Sequence, residues 1–417
     1  MQAKSEENKS IPIVANSMSA FVNNLSYLLG KQNKIDLAFK WHVYTDETYT
    51  DDSLKIALEF RDLYNRLIFA IAILNDSRLV YAVKGLSSDS TVIGGKFEPH
   101  WEDIISSKTE NYICQVHLMI DFSKRNNGLE FEVFTSEGRK IFERRQLPVN
   151  GTNLAQIVAV NYSRTEVPIS HNIYDIHFKK VDYSINDSLV GKEIYAFGDS
   201  IICGHLYSKK GFVDFLAQQE GMKLRKYAVN GGSILPGKLN TLQQIFETPD
   251  QEPDFIIFDG GTNDAFKRNE QYFGSILKDS KVNTYDLESY AGKFEKIIQT
   301  MKQKWPKAKI VFVAVPRLCS RNGAVQEKLH QLQIAAGRKW NITIIDMFAD
   351  SKLNTVADQM RKKYTFDKLG IDNLPGTMKT TISNDKTPSG THPNFLAIEK
   401  YYVPEVSRVL YQLVADS

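Results

Sequence analysis

The sequence predicts two domains of different fold class, an antiparallel β-sandwich followed by an α/β domain with a parallel sheet between helices. The first half contains many short apolar or alternating runs separated by turn-forming residues, a pattern typical of β-sandwiches. The second half alternates apolar strand-like runs with helical segments, which indicates βαβ units. A chain of 417 residues is also too long for one ordinary hydrophobic core.

The composition narrows the class of protein. A hydrophobic share of 42% and a charged share of 24% are typical of a soluble globular protein. The net charge of +3 gives no reason to expect a nucleic-acid partner. No signal peptide is visible at the polar N-terminus, and no run reaches the roughly 18 apolar residues of a membrane span. The localisation of the protein therefore stays open. The three cysteines have neither disulfide-framework nor metal-ligand spacing, so we expect no metal and no cofactor.

Residues 1–10 are predicted to be a loose tail, and residues 11–188 the β-sandwich. A hairpin is expected around Asn126-Asn127-Gly128, because this turn separates two strand-like runs. The order of the runs resembles that of concanavalin A-like (lectin-like) jelly rolls, which implies a possible carbohydrate-binding domain. Several aromatic side chains could stack on sugar rings or could instead fill the sandwich core. They are Trp41, Tyr44, Tyr49, His100 and Trp101.

Residues 189–417 are predicted to form the α/β domain, after a polar boundary at about residues 184–191. Five apolar runs are interpreted as strands: 194–197, 224–229, 255–258, 310–315 and 342–345. Helical spacing follows in the segments 211–217, 287–305, 326–340 and 395–414. Strands that alternate with helices predict a parallel sheet covered on both faces, in a flavodoxin-like arrangement.

The first strand of this domain ends in Gly198-Asp199-Ser200, which places Ser200 at the carboxyl edge of the predicted sheet, where open α/β sheets bind ligands. Three further blocks follow in order: Tyr227-Ala228-Val229-Asn230-Gly231-Gly232-Ser233, Asp259-Gly260-Gly261-Thr262-Asn263-Asp264 and Gly390-Thr391-His392-Pro393-Asn394. Together these four blocks resemble those of the SGNH (GDSL) hydrolase family. The resemblance covers about residue 192 to the C-terminus.

The resemblance implies a serine esterase with Ser200 as nucleophile and His392 as general base. A serine hydroxyl needs such a base, and the pKa of histidine suits that task. The implied oxyanion hole consists of the Ser200 N–H, the Gly231 N–H and the Asn263 side-chain amide, with Gly232 as the competing second donor. Four more motif residues are expected to support the loops: Gly198, Asp199, Gly261 and Asp264.

One position departs from the family pattern. Many members carry an aspartate three residues before the histidine, where this sequence has Ser389. Asp385 could supply the carboxylate by another route and complete a triad. Alternatively, a backbone carbonyl orients the imidazole and a Ser–His dyad operates, or the protein has lost its activity.

The leading hypothesis is hydrolysis of acyl esters, O-acetyl esters above all, on a carbohydrate that the sandwich domain holds. This sugar specificity rests on analogy between folds. A second hypothesis is a lipase-like or thioester acylhydrolase, with an acyl groove lined by the segments 201–202 and 234–236. A third is a non-catalytic glycan-binding protein of the phage-tail type with a decayed site. The oligomeric state stays open in each case.

Overall fold

The computed structural model describes residues 11–15, 34–44, 55–161, 169–180 and 188–416, with internal gaps. These gaps are 65, 75–77, 84–90, 94–95, 99–100, 106–112, 125, 152, 206–209, 238–239, 277–284, 350–352 and 368–387. The chain divides into two compact units, residues 1–186 and 187–417. The predicted tail, residues 1–10, lies outside the described residues.

The first unit contains two antiparallel sheets. Its strands are β1 (Ile11–Ala15), β2 (Lys34–Tyr44), β3 (Lys55–Arg61), β4 (Leu67–Leu74), β5 (Leu79–Ala82), β6 (Thr91–Ile93), β7 (Lys96–Glu98), β8 (Glu102–Ile105), β9 (Ile113–Asp121), β10 (Leu129–Thr135), β11 (Lys140–Leu147), β12 (Gln156–Asn161) and β13 (Ile169–Lys180). One sheet has the order β1-β13-β2-β9-β10-β11 and the other β12-β3-β4-β5-β8, while β6 and β7 pair separately. The predicted antiparallel class of this half is confirmed.

Aromatic side chains from both sheets meet in one core. Strand β10 alternates buried and partly exposed residues, so Phe131 points inward and packs on Phe69 of the other sheet, with ring centroids 4.7 Å apart. Phe39 and Phe60 make a second contact between the sheets at 5.4 Å. This packing makes the two sheets a sandwich.

The predicted hairpin is confirmed, because Leu129 of β10 pairs with Ile120 of β9 across the turn. Trp41 is fully buried in the sandwich core and is therefore no sugar-stacking platform. Trp101 is partly buried, and the side chains of Tyr44, Tyr49 and His100 lie outside the described residues. The lectin-like resemblance stays a prediction.

The second unit is built around a parallel sheet of β14 (Glu193–Phe197), β15 (Lys223–Lys226), β16 (Phe255–Gly260), β17 (Lys309–Ala314) and β18 (Thr343–Asp346). Its α-helices span Ser200–Cys203, Phe212–Glu220, Thr241–Phe246, Tyr290–Lys304, Gly323–Trp340, Asp358–Tyr364, Phe395–Ala397 and Val403–Ala415. A 3₁₀ turn spans Lys267–Tyr272, a π turn spans Ile398–Tyr402, and β19 (Thr365–Phe366) pairs with β20 (His392–Pro393). The predicted α/β class is confirmed.

The strand order is β15-β14-β16-β17-β18. Numbered along this domain it is 2-1-3-4-5, the flavodoxin-like order, in which a crevice opens where the order reverses. That reversal lies between β14 and β16, whose residues pair in parallel from Ile194 with Phe255 to Phe197 with Phe258. The loops after these two strands therefore leave the sheet side by side.

Buried aromatic side chains fix the sheet against its helices. Phe294 on the helix Tyr290–Lys304 packs edge-on against Phe312 of β17, with ring centroids 4.9 Å apart. That helix is capped by Ser289, whose hydroxyl accepts the Gly292 N–H at 3.1 Å.

No helix within the described part of the chain combines the length and the apolar character that crossing a membrane requires.

Candidate active site

The turn after β14 presents Ser200 at the first position of a short helix. Gly198 has φ +133°, and a Cβ there would lie 1.8 Å from Asp259 Oδ1, so only glycine fits. The side chain of Asp199 caps the helix by accepting the Ile201 N–H at 2.8 Å. The turn is thus determined by local sequence and by one carboxylate from the neighbouring strand.

Gln244, on the helix Thr241–Phe246, holds the same turn from the other side. Its Oε1 accepts the Gly198 N–H at 2.9 Å, and its Nε2 donates to the Gly198 carbonyl at 3.0 Å. The backbone N–H and the backbone carbonyl of Gly198 are therefore both hydrogen-bonded, as buried backbone groups generally are. The sequence analysis missed this contact, because a glutamine inside a helical pattern carries no signal of its own.

His392 reaches Ser200 from the far end of the domain. Its Nε2 lies 2.9 Å from Ser200 Oγ, which is hydrogen-bonding distance for a nucleophile and its base. His392 pairs with Phe366 in the two-stranded β19–β20 ladder. The next turn is fixed by Asn394, whose N–H donates to the Tyr364 carbonyl at 2.9 Å and whose side chain caps the following helix.

The residues just before His392 are also held on both sides. The Gly390 carbonyl accepts the Thr355 hydroxyl at 2.8 Å, and the Thr391 hydroxyl donates to Ser320 Oγ at 2.6 Å. Gly390 has φ +88°, a conformation that favours glycine. Since these contacts come from separate loops, the position of His392 is determined by tertiary packing.

The environment of His392 favours its neutral form. The pKa of His392 is lowered to about 3, mainly by burial and next by His205, whose ring centroid lies 4.2 Å away. Asp367 acts in the opposite direction on this pKa, and Arg321 in the same direction as burial. A neutral imidazole with an unprotonated Nε2 can accept the proton of Ser200.

The implied oxyanion donors differ in how far their N–H groups are already paired. Gly232 is buried and its N–H already donates to the Val229 carbonyl at 3.0 Å, whereas Gly231 is exposed with φ +83°. Within the described residues the Gly231 N–H makes no hydrogen bond, and this favours it over Gly232 as the second donor. Asn263 Nδ2 donates to the Gly232 carbonyl at 2.8 Å and has a second N–H left.

The remaining motif residues tie the loops together. The Asp264 carboxylate accepts three backbone N–H groups, from Ile234 at 3.1 Å, Leu235 at 2.9 Å and Gly261 at 3.1 Å. Burial raises the pKa of Asp264 to about 6, against the effect of these hydrogen bonds. Gly261 has φ +109°, and a Cβ there would lie 2.8 Å from Gln333 Nε2.

Beneath the nucleophile lies a pair of buried carboxyl groups. Asp259 Oδ1 accepts the Asp199 N–H at 2.9 Å, and both side chains are fully buried. Burial raises the pKa of Asp259 well above its ordinary value, and the neighbouring Asp199 raises it further. Asp259 is the first residue of the block Asp259–Asp264, yet no sequence pattern paired it with Asp199.

Asp385 lies outside the described residues, so its role stays a prediction. Ser389, at the position of the family aspartate, donates from its N–H and its hydroxyl to Asp367, at 2.8 and 2.7 Å. The structure thus places a carboxylate next to the loop that carries His392, and the sequence analysis missed it.

A nucleophilic serine paired with a histidine at the carboxyl edge of an α/β sheet defines a serine hydrolase. Residues 196–394 match the model of the GDSL-like lipase/acylhydrolase family. This part of the chain belongs to that family, and the second unit is therefore a GDSL-like (SGNH) acylhydrolase domain.

Solved structures with distant similarity include a possible lipase from Chitinophaga pinensis, at 19% identity over 53% of this chain and 98% of that chain, with a TM-score of 0.41. A lipase/acylhydrolase from Enterococcus faecalis matches at 15% identity over 52% of this chain and 95% of that chain, with a TM-score of 0.36. A family two carbohydrate esterase from Cellvibrio japonicus matches at 12% identity over 81% of this chain and 88% of that chain, with a TM-score of 0.29. No curated protein matches the chain.

Proposed function

We propose that the protein is a serine esterase that removes short acyl groups, O-acetyl groups above all, from a carbohydrate. The observation that carries this proposal is the 2.9 Å contact between Ser200 Oγ and His392 Nε2. This contact lies at the reversal of strand order, where open α/β sheets bind their ligands. The family match gives the reaction class, which is acyl hydrolysis. The identity of the acyl group and the carbohydrate nature of the substrate are our proposal.

In the proposed reaction, Ser200 Oγ attacks the ester carbonyl carbon while His392 Nε2 takes the hydroxyl proton. The carbonyl oxygen becomes an oxyanion, which the Ser200 N–H, the Gly231 N–H and the Asn263 amide stabilise. The tetrahedral intermediate collapses to an acyl-serine, and the leaving alkoxide takes the proton from His392. Water then attacks the acyl-serine with His392 again as base, releasing the carboxylic acid and free Ser200.

A small cavity lies beside Ser200 and His392. The cavity that Ser200, His205, Phe366 and His392 help to line has a volume of about 10 Å³. This is close to the smallest space that holds one water molecule. The acetyl group is proposed because it is one of the smallest acyl groups.

The acyl groove of the lipase-like hypothesis receives no support from the residues suggested for it. Ile201, Ile202 and Ile234 are at most 1% exposed, and Leu235 is 8% exposed. All four belong to the hydrophobic interior, so Pro236 is the exposed member of that set. A long acyl chain would need a different groove.

The carbohydrate part of the proposal is supported by the outward face of the six-stranded sheet. Asp36 Oδ1 lies 2.6 Å from His117 Nε2, and Glu132 Oε2 lies 3.5 Å from His117 Nδ1. Carboxylate and imidazole groups are suited to hydrogen-bonding sugar hydroxyls. Such polar faces are also ordinary on solvated antiparallel sheets, so glycan binding is tested on the full chain.

The test compares p-nitrophenyl acetate, butyrate and octanoate, with Ser200→Ala as the control. We expect hydrolysis to fall with chain length and to drop about 10⁴-fold or more in Ser200→Ala, with the melting temperature unchanged. Acetylated and deacetylated xylan would follow, with acetate release and binding to Ser200→Ala as readouts. A preference for octanoate would contradict the acetyl specificity, and hydrolysis without Ser200 would contradict the mechanism.

A further inference from the structure

We propose that Asp367 supplies the carboxylate that acts on His392, and that Ser389, standing where the family has an aspartate, holds Asp367 in place. The inference rests on the proposed esterase function for its kinetic consequences. Among the described residues, Asp367 makes no hydrogen bond to either ring nitrogen of His392. We therefore treat it as a positioning residue whose charge stabilises the imidazolium.

The need for a carboxylate follows from His392 itself. When Nε2 accepts the Ser200 hydroxyl, the proton of the neutral imidazole sits on Nδ1. Nδ1 is buried and has no hydrogen-bond partner among the residues that the structure describes. Once Nε2 takes the proton of Ser200, the ring is a buried cation, which is costly without a nearby negative charge.

Asp367 is fixed close to this ring by backbone pairing. It directly follows Phe366, and Phe366 is the residue that pairs with His392 in the β19–β20 ladder. One strand therefore brings the carboxylate up to the loop that carries the histidine. Asp367 is also only partly exposed, so solvent screens its charge less than that of a surface residue.

Ser389 determines where the carboxylate lies. Its N–H donates to Asp367 Oδ2 at 2.8 Å and its hydroxyl donates to Oδ1 at 2.7 Å, so both oxygens are held by one residue. The same hydroxyl lies 3.2 Å from Thr391 Oγ1, next to His392. In many family members, the residue at this position is an aspartate. Here it is Ser389, which instead holds the carboxylate of Asp367.

The charges around His392 make the carboxylate more important. Arg321 and the neighbouring His205 both disfavour a positive charge on His392, and burial disfavours it most. Asp367 opposes all three effects, and it also raises the pKa of His205, which burial lowers. Among the groups facing His392 in the described residues, Asp367 is the one that favours the imidazolium.

The first test is Asp367→Asn in the full chain, which removes the charge and keeps a similar shape. We expect kcat to fall about tenfold with KM unchanged, the effect of about one pKa unit of lost charge stabilisation. The acid limb of the pH profile of kcat/KM should move to lower pH, since Asp367 raises the pKa of His392. Asp358→Asn, an exposed carboxylate paired with Arg361, is the matched control and should leave both unchanged.

A second measurement does not depend on turnover. Titration of the His392 ring by NMR in Ser200→Ala should give a lower pKa when Asp367→Asn is added, and no change with Asp358→Asn. If the wild type lacks Ser200-dependent hydrolysis, the proposed function fails, and this titration still decides the role of Asp367. An unchanged His392 pKa would overturn the inference, as would a fall produced by Asp385→Asn in place of Asp367→Asn.

A double-mutant cycle tests whether Ser389 acts through Asp367. Ser389→Ala should lower kcat in the same direction as Asp367→Asn but by less, because the carboxylate remains and only its position is loosened. In the double variant the loss should equal that of Asp367→Asn alone, since the two residues act as a unit. Additive losses would overturn the assignment of Ser389 as the residue that holds Asp367.

Discussion

The sandwich and the Ser200 turn of the second unit hold their buried carboxylates in different ways. In the sandwich, fully buried Asp62 accepts the Arg66 Nε–H at 2.7 Å, and fully buried Glu59 accepts the Arg61 Nε–H at 2.6 Å. In the hydrolase domain, fully buried Asp199 and Asp259 bond to main chain and to each other, and neither forms an ion pair within the described residues. In the described part of the sandwich, Asp62 and Glu59 are each neutralised by an arginine. Beneath Ser200, the charge of the Asp199–Asp259 pair depends on burial and on the neighbouring acid.

We expect the two kinds of buried carboxylate to affect different properties of the protein. A buried ion pair is sensitive to loss of either partner, because the other charge is left uncompensated. A buried acid pair can lower its energy by holding a proton, which makes its charge depend on pH. We therefore expect changes in the sandwich to alter folding, and changes at the catalytic edge to alter rate or pH dependence.

Among the changes that compare the two units, the largest effect is expected at Asn263, a proposed oxyanion donor. Asn263→Ala removes one hydrogen-bond donor and should lower kcat about 10²- to 10³-fold, with little change in KM. Steady-state kinetics on p-nitrophenyl acetate checks this, with thermal unfolding to show that the fold is intact. A kcat within threefold of the wild type would show that Asn263 does not contact the developing oxyanion.

The next effect concerns the sandwich. Arg66→Ala leaves the buried Asp62 carboxylate without its cation and should lower the free energy of unfolding by about 3 kcal/mol. Esterase activity should stay unchanged at temperatures where the sandwich is folded. The matched control is Arg78→Ala, whose ion pair with Asp103 is exposed and should contribute less than about 1 kcal/mol. Equal losses in urea unfolding of the two variants would remove the contrast between the units.

The smallest effect has the opposite sign. The folded-state pKa of Asp259 lies above its unfolded value, so the stability that its protonation contributes is present at low pH and is lost as pH rises. Asp259→Asn keeps an oxygen to accept the Asp199 N–H and removes this titration. The variant should match the wild type near pH 4 and become more stable than the wild type as pH rises to 8. Urea unfolding across this range measures it, and a less stable variant at pH 8 would contradict the raised pKa.

Much of the fold was predictable because its signals are local. The apolar run 194–197 became β14, and the alternation of strands and helices gave the parallel sheet. The motif residues Ser200, Asn263 and His392 stand next to strand ends or helix starts, where short patterns are informative. The structure brings Ser200 and His392 together although they are 192 positions apart.

The parts that escaped prediction depend on contacts between distant segments. Asp367 comes near His392 through the pairing of β19 with β20, and two-residue strands carry no periodic signal. Asp385 lies outside the described residues and stays a prediction, whereas Ser389 contacts Asp367, which no sequence pattern pointed to. Trp41 was a candidate for an exposed platform, but its position in β2 points it into the core.

The joining of Phe366 to His392 and of Asp367 to Ser389 also bears on how this site can change over evolutionary time. These contacts join residues 366–367 to residues 389–392, which lie more than twenty positions further along the chain. Doubling the number of residues between two joined points of a chain adds only about 0.6 kcal/mol of closure entropy. Insertions and deletions between the two joined points should therefore change the stability of the fold little. The place of His392 beside Ser200 is set by the residues that pair with it and not by the length of chain between them.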